Sequence, residues 1–151
     1  MVNLKYKIID NSEYNKIKPL WQKLNKHHQE KSGHFKSHFA NNTFEKRMKK
    51  MLANDDLIWR IEVVEDIDRG DLIAYCIISI NDEEAEIDSL YIDKEYRRLK
   101  IGDKLMKSSL EWIKEKGTSK TMIVVSWGNR DALDFYRKYG FEPRSIKLYN
   151  K

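Results

Sequence analysis

The stretch Tyr91–Ile113, YIDKEYRRLKIGDKLMKSSLEWI, decides the fold, because its periodicity changes in the middle. The residues that lead into it, Glu84–Ile92 (EAEIDSLYI), alternate as a strand does, whereas beyond Gly102 the apolar residues recur at helical spacing. At the join stand Arg97, Arg98, Lys100 and Gly102. The positive end of a helix dipole repels cations, so three of them on a strand-to-helix turn point to an anion held there. Which anion is not a matter of the common phosphate loops. A Walker loop needs two glycines followed by Lys-Ser/Thr, and the dinucleotide pattern needs G-x-G-x-x-G; neither is present. What remains is Arg97-x-x-Lys100-x-Gly102.

Working outward, Lys5–Asp10 reads as a strand, and Ser12 is placed to cap a helix from Glu13 to about Glu30, with Ile17, Leu20, Trp21 and Leu24 on one face. A second helix, about Thr43–Ala53, carries Phe44, Met48, Met51 and Leu52. Leu57–Glu65 and Asp71–Ile80 are two strands of a hairpin whose turn holds Gly70. Downstream, the helix of about Gly102–Lys116 stops at Gly117, a C-terminal cap. Lys120–Trp127 reads as a buried strand, Asn129–Gly140 as a helix and Phe141–Asn150 as a final strand. The order β-α-α-β-β-β-α-β-α-β describes an α/β chain, expected to be one domain over residues 1–151. Its sheet is mixed and mostly antiparallel, flanked by helices, with hairpins first and crossover units after.

Composition agrees with a globular chain: 40% of residues are hydrophobic and 35% charged, too apolar for disorder. The net charge of +5 hides an asymmetry. Residues 1–54 and 96–151 each carry +8, while residues 55–95 carry −11. A basic C-terminal third beside an acidic centre suits two ligands of opposite charge, although lysine-rich helices decorated at random give the same totals. Cys76 is the only cysteine and lies in an apolar run, so it reads as a buried small residue rather than a nucleophile. No disulfide is possible within the chain. Met1–Asp10 lacks the apolar segment of a signal peptide and no run is long enough to span a membrane, so the expectation is a cytoplasmic protein.

With these residues in place, the sequence resembles the GNAT superfamily of acetyl-CoA-dependent N-acetyltransferases. Its pyrophosphate signature, Gln/Arg-x-x-Gly-x-Gly/Ala after a strand like Ser89–Asp93 (SLYID), matches Arg97–Gly102. A second family block matches Asn129–Glu142, NRDALDFYRKYGFE. Together they cover residues 85–142, and the element order extends the match along the chain. The departure is Lys100, where the family has its first glycine. Where φ is positive there, lysine costs about 1 kcal/mol relative to glycine, and its ammonium is placed to reach a phosphate.

The resemblance implies acetyl-CoA as cosubstrate and direct attack of a neutral amine on the thioester. A free alkylamine has a pKa near 10, so a carboxylate, or a water it orders, must accept a proton. Glu86 and Asp88 alternate along the strand and share one face. The family places its base four or two residues before the position of Leu90, which leaves both open, with Glu86 slightly preferred. It also implies coenzyme contacts from Leu90, Tyr91 and Ile92 on the strand, and from Arg97, Arg98, Lys100, Ile101, Gly102 and Asp103 on the turn. Asn129 caps the last helix and, in the resemblance, touches the coenzyme. Tyr136 matches the tyrosine beside the sulfur, a general acid; Tyr139 is off the motif.

All four histidines lie in His27–His38, and His34 and His38 are spaced i, i+4. With no cysteine near and Glu30 the one close carboxylate, the pattern does not indicate a metal. In the resemblance this region walls the acceptor pocket, and His34, Phe35 and His38 are candidates for acceptor recognition. The expected partner is a small-molecule or peptide amine, with no nucleic acid and no membrane, and the chain is a monomer or homodimer. A nucleic-acid-binding module is the alternative that a pI of about 9.1 permits. Its lysines are scattered around helices, and the centre is acidic. A non-catalytic acyl-CoA-binding domain is a third reading, against which stand Tyr136 and the Glu86/Asp88 pair.

Overall fold

The computed structural model describes residues 1–151. Five strands form one sheet in the order β1 (Leu4–Ile9), β2 (Ile58–Asp66), β3 (Asp71–Asn81), β4 (Glu84–Ile92) and β5 (Lys120–Ile123). Neighbours run antiparallel except β4 and β5, which run parallel across the helix that joins them. Such a crossover is what the strand-to-helix change at Tyr91–Ile113 requires. The architecture is therefore α/β with a mixed, mostly antiparallel sheet.

Strand β3 is buried without interruption from Ile73 to Ile80 because helices cover both faces of the sheet. On one face α1 (Lys18–Lys31) and α3 (Phe44–Leu52) bring Trp21, Phe44 and Met48 against Ile61, Val63, Tyr75 and Ile77. On the other, α4 (Ile101–Glu115) brings Ile101, Leu105 and Ile113 against Ala74, Cys76, Ile78 and Ile80. Each large side chain so buried contributes about 1.5–3 kcal/mol. No helix is long and apolar enough to cross a membrane.

Three expectations are corrected. Ser12 does not cap α1. Asp10 accepts from the Ser12 amide at 2.9 Å and opens a 3₁₀ segment, Asn11–Ile17; α1 follows with Pro19 in its first turn, where proline's missing N–H has no cost. A short helix α2 (Lys36–Asn41) also forms where no periodicity signalled one.

The third correction concerns the C-terminus. β5 ends at Ile123 rather than Trp127, and Phe141–Asn150 forms no strand after α5 (Arg130–Arg137). Alternation supplies a strand's faces, but a strand also needs a neighbour. β5 offers only four paired residues, Pro143 has no N–H to give, and Ile146 and Leu148 remain 63% and 90% exposed.

One irregularity positions the site. The β3–β4 register slips between Ile77, opposite Ser89, and Ile78, opposite Ile87, so Asp88 has no partner across the ladder. A bulge of this kind bends its strand. β4 pairs with β5 only from Glu84 to Ile87, so the two strands part at the bulge.

Candidate active site

Beyond Ile87 the side of β4 that faced β5 is open. The Asp93 amide donates to the Ile73 carbonyl of β3 at 2.8 Å. Strand alternation therefore turns Tyr91 and Ser89 toward β3, and leaves the N–H groups of Leu90 and Ile92 facing the gap. The Ile92 carbonyl agrees, since it accepts from Arg97 Nε on that side at 3.1 Å. The gap is a cleft of about 170 Å3. Leu90, Val125, Ser126, Asn129 and Tyr136 line one part of it, and Trp21, His28 and Phe39 another.

At the far end of the gap lies the cationic turn. A 3₁₀ turn, Lys94–Tyr96, follows β4, and Arg98 and Lys100 then take left-handed conformations with φ of 71° and 59°. Lys100 is the N-cap of α4, but no side chain caps the helix; Thr43 and Asn129 do cap α3 and α5, accepting from the Lys46 and Ala132 amides. The first α4 amides therefore remain available as donors, with the dipole's positive end outward.

Gly102 is small for a packing reason: a Cβ there would meet the Phe135 ring at 3.1 Å. Asp103 points sideways, accepting from the Tyr139 hydroxyl and standing 3.7 Å from Lys138 Nζ, so it ties α4 to α5. Arg97 also lies over the Tyr91 ring, 5.7 Å from its centroid.

A second cavity, of about 590 Å3, opens between α3 and β4 and contains Glu86 and Asp88. Asp88 and Arg47 line both cavities, so the bulge residue stands where they meet. Arg47 Nη2 lies 3.3 Å from Asp88 Oδ1, while Oδ2 is buried without a hydrogen-bond partner. Burial raises the pKa of Asp88, and the Ser79 hydroxyl and Arg47 beside it hold the rise in check. Burial, and then the Asp88 charge, raise that of Glu86. A carboxylate moved toward neutral pH is a better base there.

Two tyrosines on α5 contrast. Tyr139 is engaged by Asp103, whereas Tyr136 lines the cleft, its pKa raised by burial and then by Cys76. Its phenol is protonated at any working pH and is a proton donor. Cys76 itself is buried, its thiol pushed up to about 12 by that burial, which leaves no reactive thiolate.

The expected acceptor residues are placed differently. His34 and His38 are exposed and Phe35 half-buried, and none lines either cavity. The same region enters the cleft through His28 and Phe39 instead. Burial, and then His27, push His28 down to about 4, so it is neutral. Its Nδ1 is buried and unpaired. The signal for His28 was present: it continues the face of Trp21, Leu24 and Asn25 at i, i+3, i+4, i+7. Arg47 carried no such signal, since its role depends on α3 crossing the bulge. No three His, Cys, Asp or Glu side chains gather in a metal-binding group.

Comparison with known proteins adds the relatives. The Acetyltransferase (GNAT) family pattern matches residues 20–141. A Bacillus subtilis (strain 168) protein, named provisionally as a ribosomal protein bS18-alanine N-acetyltransferase, is 35% identical over 78 residues, 52% of each chain. An uncharacterised Methanocaldococcus jannaschii N-acetyltransferase, MJ1207, is 31% identical over 64 residues, 42% of this chain and 28% of that one. The matched segments thus span about half, or less, of these relatives. Among solved structures, an aminoglycoside acetyltransferase from an uncultured soil metagenomic sample, in complex with trehalose, has a TM-score of 0.69 at 18% identity, covering 98% of this chain and 95% of that one. A tetramutant of the BH1408 protein of Bacillus halodurans has a TM-score of 0.75 at 16% identity, covering 97% and 99%. At these identities the two structures speak for the fold.

Proposed function

The chain belongs to the Acetyltransferase (GNAT) family, and on that premise we propose that it transfers an acetyl group from acetyl-CoA to a primary amine by direct attack. The observation that carries the reading is the parting of β4 and β5 at Asp88. It opens a cleft with free strand amides, and the cationic turn stands at its end.

The residues fit acetyl-CoA. The amides of Leu90 and Ile92 suit the amide-bearing arm, which pairs as an added strand would. Arg98, Lys100 and the uncapped amides of Ile101, Gly102 and Asp103 suit the pyrophosphate. The bound thioester supplies an acetyl group activated by a sulfur leaving group. Everything else is the work of the chain.

Asp88, rather than Glu86, is assigned as the base, because it lines both cavities. It takes the proton of the amine, directly or through a water, as the new N–C bond forms. The Leu90 amide faces the carbonyl oxygen and stabilises the charge that develops there. As the C–S bond breaks, Tyr136 gives its proton to the sulfur, so amide and free thiol leave together. Asn129 holds the start of α5 and with it Tyr136. The test is thiol release from acetyl-CoA with a panel of amines, paired with calorimetric binding of coenzyme A. Binding with amine-dependent release is expected; absence of coenzyme binding overturns the reading.

A further inference from the structure

The larger cavity carries a charge pattern that acetyl transfer alone does not require. Glu84, Glu86 and Asp88 follow one another along β4 and line the same cavity, Glu84 and Glu86 roughly 7 Å apart along the regular strand and Asp88 beyond them at the bulge. Exposure falls along the row. Glu84 is exposed, Glu86 half-buried, and the Asp88 side chain only 6% exposed, with the buried, unpaired Oδ2 at the inner end. Asp82 and Glu83 extend the row outward. Three cations stand against these five acids: Arg47, on Asp88 Oδ1, and Lys50 and Lys120. An acidic cavity in a chain of net charge +5 selects for positive ligands.

We propose that this cavity binds a linear oligoamine, an acceptor with two or more ammonium groups on one flexible chain. It lies along β4 with its terminal nitrogen at Asp88. The identity of the acetylated nitrogen rests on the acetyl-transfer reading; the charge recognition rests on the carboxylate row. The terminal nitrogen attacks as the neutral amine, its ammonium proton having passed to solvent, and Asp88 takes the second proton as the N–C bond forms. The remaining ammonium groups stay charged, held by Glu86 and Glu84, whose mutual repulsion they relieve. Nitrogens joined by short methylene spacers repeat at an interval close to that of alternate strand residues. A ring-rigid polyamine cannot follow carboxylates strung along one strand and around its bulge, and a monoamine leaves the outer members of the row unpaired. A cavity of about 590 Å3 accommodates such a chain.

The experiment titrates spermidine, butylamine and neamine calorimetrically into the full chain with coenzyme A present, and measures thiol release with acetyl-CoA for each. Spermidine is expected to bind about tenfold tighter than butylamine or more, with the margin shrinking as salt rises. The double variant Glu83→Gln/Glu84→Gln should weaken spermidine about five- to tenfold and butylamine far less. Equal binding of spermidine and butylamine, tighter binding of neamine than spermidine, or indifference to the double variant overturns the proposal. Spermidine binding as expected without thiol release overturns acetyl transfer and leaves the oligoamine site standing.

Discussion

β2 and β3 pair through nine positions, whereas β4 and β5 pair through four and then separate. The first pair is clamped between two cores and joined by a tight turn, Asp66–Asp71, with Gly70 at φ 73° and its amide on the Asp66 carbonyl at 2.8 Å. The second pair is interrupted by a bulged aspartate. The same sheet thus contains a closed end that contributes stability and an open end that leaves backbone groups and one carboxylate oxygen unpaired. Mutations at the two ends should therefore separate, with stability following one and turnover the other.

The largest expected effect is at the open end. Asp88→Asn should lower kcat/KM about 10²–10⁴-fold, the range of general base catalysis. The base works ionised, so wild-type kcat/KM should climb with pH through the raised pKa of Asp88, and the variant should lose that limb. Stability should move the other way. A carboxyl whose folded pKa is raised favours the fold when protonated; that contribution is full below the unfolded value near 3.9 and lost as pH rises through the folded one. The melting temperature of the variant should therefore gain on wild type between pH 4 and pH 8. If the pH limb disappears in Glu86→Gln instead, the base is Glu86.

At the closed end, Ile61→Ala should cost about 2–5 kcal/mol of stability, because Ile61 is fully buried on β2 among Val63, Trp21 and Phe44. Denaturant melts report this directly. Turnover per folded molecule should be unchanged, and a large loss of kcat in the folded fraction would break the separation of the two ends.

Smaller, and again at the open end, Tyr136→Phe should lower kcat about 10²-fold, the low end for a general acid, since a thiolate leaves readily. Tyr139→Phe is the control on the same helix. It removes the bond to Asp103, costing about 1 kcal/mol in stability, and should spare kcat. Loss of turnover from Tyr139→Phe but not Tyr136→Phe would reassign the roles on α5.

The two ends also differ in how far the sequence discloses them. The hairpin is legible because Ile58–Asp66 and Asp71–Asn81 are adjacent in the chain, so alternation and one glycine settle the pairing; only the slip between Val64 and Glu65, which skips Ile73 close to the turn, goes unsignalled. The parting at Asp88 is not, because a bulge depends on how two strands slip once packed; EAEIDSLYI alternates through it with no visible break. The carboxylates, the cationic turn and Tyr136 were legible as residues at motif spacing. Arg47, and the entry of Phe39 into the cleft, depend on where α2 and α3 settle. The unformed strand at Phe141–Asn150 shows the converse: a pattern with the right period and no edge long enough to receive it.

The smallest effect tests the turn itself. Lys100 opens α4 at φ 59° and ψ 25°, a conformation that a side chain makes costly and glycine does not. Lys100→Gly should therefore raise stability by up to about 1 kcal/mol, offset in part by the freedom glycine gains in the unfolded chain. Lys100→Ala retains the conformational cost and removes the ammonium. If the ammonium meets the pyrophosphate, both variants should weaken coenzyme A by a similar factor, while only the glycine variant gains in melting temperature. The loss of affinity should also shrink as salt rises, because an exposed ammonium is screened. A glycine variant that binds coenzyme A as well as wild type does, at low salt, would show that the backbone amides hold the anion and that the lysine contributes only conformational cost at this position.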